Sequence, residues 1–354
     1  MRNTIVTISY TTAGAQLQER IAAVVKEISP ECETVSFAYK DPERAFVKTE
    51  EILDRYFDTV QLIVFISATG IAVRKIAPYL KSKTTDPAVL CMDEAGRFVI
   101  PLVSGHLGGA NEWSQKIAEQ IGAVAVITTA TDVEKVFAVD LFAKKNGLRI
   151  ADSNMIKEVS ARLLAGETVG ICSAYEIGGK VPEGLVYYKI KDSEDRPECG
   201  VTITENANLP KQFEIECRLF PKNLVLGIGC RKGISAEKLE CFVKETMAQN
   251  GLDLRSVRAV ASIDLKKEEA GIRALAEKLD VPFLVFRAEE LQACGGDFTA
   301  SVFVAEQVGV DNVCERSAVC AAGAGAKLLF KKTASEGMTL AAASLMLRID
   351  YNIG

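Results

Sequence analysis

Gln61-Leu-Ile-Val-Phe-Ile-Ser67, followed without a break by Ala68-Thr69-Gly70 and the periodic Ile71-Ala-Val-Arg-Lys-Ile76, is the stretch whose reading decides the fold. A continuous apolar run of this length reads as a strand covered on both faces, the signature of a parallel sheet between helices. Ala68-Thr69-Gly70 is the turn, and the spacing predicts a helix from Ile71. Outward from this unit the same alternation holds. Thr4 to Ser9 reads as a buried strand, and Leu17, Ile21, Val24, Val25 and Ile28 recur at helical spacing before Pro30. On the other side, Ala88–Met92 and Arg97–Val103 flank Asp93-Glu94-Ala95-Gly96, a hairpin signal. Trp113, Ile117 and Ile121 form the apolar stripe of a helix ending at Gly122, and Val124 to Thr128 returns as a strand.

Past Lys144-Lys145-Asn146-Gly147 the pattern changes. A helix over Met155–Ala165 leads into β-branched runs at Val169–Ser173, Leu185–Ile190, Val201–Thr204 and Phe213–Leu219. Phe220-Pro221-Lys222 reads as a linker. A third block opens with the strand Leu224–Ile228, the turn Gly229-Cys230-Arg231-Lys232-Gly233 and a helix capped by Ser235 that ends at Gly251. Alternation continues through Val257–Ser262, Ile272–Leu279 and Pro282–Phe286. The expected class is α/β. Residues 1–133 and 222–354 form α/β domains with mainly parallel sheets, joined by a smaller strand-rich α+β region over 134–220.

The chain has 354 residues, 48% hydrophobic and 25% charged, so it is an ordinary globular sequence rather than a disordered or fibrous one. Its net charge of -5 supplies no global positive field for a nucleic acid or an anionic membrane, so any anionic partner must be held by local clusters. No run approaches the roughly 18 apolar residues of a membrane span. The first residues lack the apolar segment of a signal peptide, so a cytoplasmic location is expected. Ten cysteines occur without a C-x-x-C pair and only one histidine is present, which argues against zinc and iron–sulfur sites and for reduced core thiols.

Chemistry concentrates in a few places. Between Asp58 and Asp86 no acidic residue occurs, yet Arg74, Lys75, Lys81 and Lys83 fall there, after the Gly70 turn where open α/β sheets bind ligands. A solvated helix face is the alternative. Ser104-Gly-His-Leu-Gly-Gly-Ala-Asn-Glu112 is the densest motif, and its glycines let backbone amides approach a ligand. His106 has an unperturbed pKa near neutrality and suits general acid or base work, with Glu112 and Asn111 available to orient it or a water. Ser104 lacks the G-x-S-x-G context of a hydrolase nucleophile. Gly227-Ile-Gly-Cys-Arg-Lys-Gly233 places its third glycine one position late for a dinucleotide fingerprint, but its amides beside Arg231 and Lys232 suit an anionic group. Asp264 with Lys266-Lys267, and Asp311 with Glu315-Arg316, lie at presumed element ends and either line a cleft or are ordinary surface charge.

Gly70-Ile-Ala-Val-Arg-Lys-Ile-Ala-Pro78, Lys83-Thr-Thr-Asp-Pro87, Ser104 to Glu112, Thr128-Thr-Ala-Thr-Asp132, Leu226 to Gly233, Ser262-Ile-Asp-Leu-Lys-Lys267 and Val310-Asp-Asn-Val-Cys-Glu-Arg316 together resemble the CbiG family of cobalamin biosynthesis, the cobalt-precorrin-5A hydrolases. The resemblance runs nearly end to end and is thinnest over Ala151–Leu219. It implies opening of the lactone that bridges ring A and the meso carbon C20 of a cobalt macrocycle, then release of C20 with its methyl as acetaldehyde, giving cobalt-precorrin-5B. The implied substrate is a polycarboxylate that carries its own cobalt, so no cofactor and no protein metal site are expected. Other cobalamin-pathway enzymes are the protein partners it suggests. Residue chemistry makes His106, Glu112 and Asp132 the catalytic candidates, with amides of the glycine-rich turn stabilising an oxyanion. Substrate contacts are expected from Gly70, Arg74, Lys75, Lys81, Lys83, Ser104, Gly108, Gly109, Asn111, Arg231, Lys232, Lys266, Glu315 and Arg316. A non-catalytic corrinoid carrier and a nucleotide- or SAM-dependent enzyme are the competing classes.

Overall fold

A computed structural model describes residues 3–352, apart from 40, 47, 83–84, 135, 191–194, 302–304 and 307. The chain divides into two compact units, residues 1–135 and 136–354.

In the first unit, β1 (Thr4–Ser9), β2 (Glu33–Ala38), β3 (Leu62–Ile66), β4 (Ala88–Met92), β5 (Phe98–Val103) and β6 (Val124–Ala125) form one sheet in the order β2-β1-β3-β4-β5-β6. The first four are mutually parallel, with Ile5 opposite Leu62 and Leu62 opposite Ala88. Alternation along β3 explains its unbroken apolar run. Leu62, Val64 and Ile66 face the helices α1 (Thr12–Ile28) and α4 (Ala110–Ile121), through Leu17, Ile21, Trp113 and Ile117. Ile63 and Phe65 face α2 (Thr49–Tyr56) and α3 (Thr69–Ile76), through Leu53, Phe57, Ala72 and Ile76. Both faces are covered, as the sequence predicts.

One step breaks the parallel order. At the predicted hairpin Gly96 adopts φ +66°, and the Asp93 carboxylate accepts the amides of Arg97 and Phe98 at 2.8 Å each. β5 therefore runs antiparallel to β4, placing Val103 beside Val89, and β6 runs parallel to β5. The C-terminal ends of β5 and β6 open on the edge opposite to that of β1, β3 and β4. β6 is shorter than the predicted Val124–Thr128: Val126 still donates its amide to Val99, and the chain then turns into the short helix α5 (Ala130–Val133).

The second unit holds two five-stranded sheets and a short parallel pair, β9 (Ile177–Gly178) with β18 (Ile349–Asp350). One has the order β10-β8-β11-β12-β7, from β7 (Leu148–Ile150), β8 (Val169–Ser173), β10 (Leu185–Tyr188), β11 (Cys199–Ile203) and β12 (Ile215–Pro221), all parallel except β7. The predicted linker at Phe220-Pro221 is instead the end of β12. Phe220 pairs with Arg149 and is fully buried under the Arg255 guanidinium, 4.0 Å from its ring centroid, because an aromatic side chain gains more from that cover than from solvent. The other sheet has the order β15-β14-β13-β17-β16, from β13 (Leu224–Cys230), β14 (Val257–Ile263), β15 (Phe283–Phe286), β16 (Lys327–Ser335) and β17 (Met338–Ser344). Its first three strands are parallel, whereas β16 and β17 form an antiparallel hairpin that sequence periodicity did not expose. The chain's end returns to the first of these sheets: Ile349 is fully buried in its core, and Asp350 exchanges two hydrogen bonds with Asn146.

Small residues on β13 and β17 have a packing cause. A Cβ at Gly227 would lie 1.8 Å from the carbonyl oxygen of Cys314, the first residue of the helix Cys314–Ala322, and Ala341 lies directly opposite Gly227. The glycine lets a helix backbone rest on the strand. Gly227→Ala must push that helix outward and is expected to destabilise the protein by about 1–3 kcal/mol or more. Urea unfolding checks this, and an unchanged midpoint would refute the packing account.

Candidate active site

β5 ends at Val103 and the chain enters the glycine-rich motif. Ser104 takes a left-handed conformation, φ 58°, and its Oγ donates to the Asp86 carbonyl at 3.0 Å. The Ser104, Gly105 and His106 carbonyls accept the amides of Ala110, Asn111 and Gly109 at 3.0–3.1 Å. The loop thus closes on itself before α4 begins, and the closure requires glycine. A Cβ at Gly108 would lie 2.3 Å from the Ser104 Cβ, and Gly109 adopts φ +84°. Sequence reasoning expected these amides to face an oxyanion. Those of Gly109, Ala110 and Asn111 are instead spent inside the loop, because a chain reversed this tightly satisfies its own donors.

What the loop presents is His106. Its Nε2 lies 2.9 Å from Asp132 Oδ2 and 3.1 Å from Thr131 Oγ1. Asn111 Nδ2 donates to the same Asp132 oxygen at 2.6 Å and to Thr129 Oγ1 at 3.0 Å. His106 follows β5 and the Thr129–Asp132 segment follows β6, so two parallel strands joined by the α4 crossover deliver both partners to one edge. The imidazole side chain is 14% exposed and the carboxylate 28%, sheltered yet open to water. An imidazole backed by a carboxylate can take a proton from water and return it to a leaving group. Thr129 and Thr131 had no assigned role in the sequence reading, although both lie in the Thr128-Thr-Ala-Thr-Asp132 motif. Glu112, in the first turn of α4, forms an exposed ion pair with Lys116 at 2.8 Å.

Residues 51–132 match the family model described as Cobalamin synthesis G N-terminal, 137–218 the Cobalamin biosynthesis central region and 224–343 the Cobalamin synthesis G C-terminus. A cobalt-precorrin-5A hydrolase of Salmonella typhimurium is 36% identical over 262 residues, covering 73% of this chain and 75% of the relative. The chain belongs to the CbiG family. A second cobalt-precorrin-5A hydrolase, from Priestia megaterium, is 34% identical over 295 residues, with 79% and 78% covered. A solved structure of a cobalamin biosynthesis protein G homolog from Sulfolobus solfataricus is 24% identical at a TM-score of 0.42, covering 97% of this chain and 98% of that one. His106, Asn111 and Asp132 all fall within the match to the CbiG N-terminal model.

The basic stretch is arranged differently from the sequence expectation. Gly70 lies in the first turn of α3, at the C-terminal end of β3, whereas the His106 loop sits at the opposite edge of the sheet. A five-residue strand, roughly 17 Å long, separates the two edges. The window free of acids in sequence is not free of them in space: α2 and its end bring Glu50 to Lys75 at 2.6 Å and Asp58 to Lys81 at 2.7 Å. Arg74 donates to the Gly70 carbonyl at 3.2 Å, and Lys83 lies outside the described residues. Lys81 is on the edge of the His106 loop, because the Asp86 carboxylate accepts the Lys81 and Ser82 amides while the Asp86 carbonyl accepts Ser104 Oγ.

Within the CbiG C-terminal match, the turn after β13 is also self-satisfied. The Gly233 amide donates to Glu269 Oε1 at 2.9 Å, and Lys266 Nζ lies 3.4 Å from Glu269 Oε2, so an internal carboxylate occupies the place expected for a ligand anion. The Arg231 amide donates to Gly337, and the Lys232 side chain is exposed. Glu315 is fully buried and accepts the Thr299 and Lys332 amides at 2.8 and 2.6 Å. Arg316 pairs with Asp311 at 2.7 Å, donates to the Leu291 and Cys294 carbonyls and covers the Phe298 ring. Both were expected to contact substrate. Their observed partners all lie within the protein, so both side chains anchor the segments around them. All ten cysteines are free thiols; burial pushes Cys217 up to about 12 and Cys230 and Cys314 up to about 11. Among the described residues no group of three His, Cys, Asp or Glu side chains converges as a metal site would require, and no helix is long and apolar enough to cross a membrane.

Gly108→Ala tests the loop closure. The added methyl collides with Ser104, so activity is expected to fall while far-ultraviolet circular dichroism is retained, with a stability cost of about 1–3 kcal/mol. Wild-type turnover in this variant would show that the closed loop does not set the site.

Proposed function

We propose that the chain hydrolyses cobalt-precorrin-5A, opening its lactone and releasing C20 with its methyl as acetaldehyde. Family membership over three consecutive segments and the names of the relatives support the substrate, and the His106–Asp132 couple at the mouth of the β5–β6 edge supports the chemistry. That couple is the observation that carries the reading, because both stages of the reaction need a base of near-neutral pKa.

In the first stage His106 takes a proton from water as its oxygen adds to the lactone carbonyl. The acyl–oxygen bond breaks, the carbonyl carbon becomes a carboxylate and the ring oxygen leaves as a hydroxyl on C20. In the second stage that hydroxyl gives up its proton, the bond joining C20 to the macrocycle breaks, and acetaldehyde departs. The electron pair passes into the conjugated macrocycle, which takes up a proton. One water is consumed in total, and no oxidant or reductant is required. Asp132 holds the imidazole and stabilises the imidazolium formed when His106 takes a proton. Cobalt is part of the substrate and has no protein ligand in this scheme. Lys81, at the edge of the loop, is placed to meet a substrate carboxylate; its exposed pair with Asp58 is worth about 0–1 kcal/mol, so exchanging partners costs little.

Purified protein incubated with cobalt-precorrin-5A is expected to release acetaldehyde, read by coupled reduction with alcohol dehydrogenase. His106→Ala should lower kcat by about 10²–10⁴-fold with corrinoid binding little changed. Corrinoid binding without acetaldehyde would make the protein a carrier, and near-wild-type kcat in the variant would remove His106 from the mechanism.

A further inference from the structure

The sequence suggests a substrate contact for Asn111, but its geometry points inward. The residue is 6% exposed, on the first turn of α4, and its side-chain amide donates to Asp132 Oδ2 at 2.6 Å and to Thr129 Oγ1 at 3.0 Å. Its main chain is fixed on both sides: the amide donates to the Gly105 carbonyl at 3.0 Å, and its own carbonyl accepts Ser114 Oγ at 2.8 Å. The roof above it is Gly105, where a Cβ would stand 2.9 Å from Asn111 Oδ1. The amide therefore fills the space between the closed loop and the carboxylate behind His106. Leaving such a buried donor unpaired would cost about 1–3 kcal/mol, so the arrangement resists rotation of either Asn111 or Asp132.

We propose that Asn111 is a positioning residue that clamps Asp132 onto His106 Nε2 and so fixes the tautomer of the imidazole. The inference rests on reading His106 as the base and goes one step deeper. An ionised carboxylate only accepts hydrogen bonds, so a neutral His106 facing Asp132 carries its proton on Nε2. A neutral imidazole with Nε2 protonated takes its next proton at Nδ1. Thr131 Oγ1, 3.1 Å from the same Nε2, holds the ring against the same side. Without the Asn111 amide, the partly exposed Asp132 side chain is free to rotate toward water, and the ring loses its orientation.

His106 is the only histidine in the 354-residue chain, so full-length protein labelled with ¹⁵N-histidine gives the signals of this one ring without any substrate. Two-bond ¹H–¹⁵N correlation is expected to show the Nε2–H tautomer in the wild type. In Asn111→Ala the tautomers should mix, with kcat falling on the order of 10–100-fold, the usual scale for losing an outer partner, and KM little changed. Asn111→Asp adds a second negative charge beside the ring, which favours the imidazolium. The His106 titration midpoint should rise, and because the base works in its neutral form the acid limb of the kcat/KM profile should move to higher pH. A wild-type tautomer and titration in Asn111→Ala would overturn the proposal, and a loss confined to KM would return Asn111 to substrate binding. Should the alanine variant fail to fold, Gly105→Ala displaces the amide without removing it and is read by the same spectrum. The reading of His106 as base fails separately, through wild-type kcat in His106→Ala, whatever the tautomer proves to be.

Discussion

The Asp93 carboxylate, accepting the amides of Arg97 and Phe98, holds the tight turn on which the first unit depends. It sends β5 back against β4, and the sheet consequently has two carboxyl edges rather than one. Ligands of open α/β sheets gather where parallel strands end. Here β5, α4 and β6 form a small parallel unit of their own, and its ends carry His106 and Asp132 to within 2.9 Å of each other. Had β5 continued parallel to β4, the glycine-rich loop would open beside the Gly70 turn, among the helix termini of the opposite edge.

Carboxylates do much of the internal bonding in this acidic chain. Asp86 holds the Lys81 and Ser82 amides, Glu269 the Gly233 amide, and Glu315 the Thr299 and Lys332 amides. Each sits where backbone donors converge, and a short acidic side chain satisfies them at less entropic cost than an ordered ligand would. The same habit explains why a count of cations along the sequence overstates the free positive charge. Glu50 and Asp58 are distant from Lys75 and Lys81 in sequence, but the packing of α2 and the segment after it against α3 and its continuation places them side by side.

Glycines in the two sequence motifs allow close approach of neighbouring groups. Gly227 admits the helix that begins at Cys314, Gly105 admits the Asn111 amide, and Gly108 admits Ser104. Within the near-fingerprint that starts on β13, Gly227 is therefore a packing position. In the histidine loop the outcome differs only in what is left at the surface: the amides turn inward, and a titratable ring is held at the rim.

The sequence by itself determined the fold class and the buried strands that define it. Leu62–Ile66, Ala88–Met92 and Leu224–Ile228 are apolar on both faces, and the helical stripes between them leave no other layer arrangement for the chain. It also marked His106, Glu112 and Asp132 as the candidates for proton transfer, since no second histidine exists and all three lie in dense motifs. Other features were hidden for local reasons. Alanine is a poor strand signal, so β17 did not show, and Phe220-Pro221 imitates a linker because proline is tolerated where a strand ends. What only the tertiary structure decided was which charged and polar groups meet. The pairing of His106 with Asp132, of Asn111 with that same carboxylate and of Lys81 with Asp58 depends on strand order, direction and the close approach of helices. Those are set by the burial of both faces of a sheet at once, a condition that spacing along one segment does not contain.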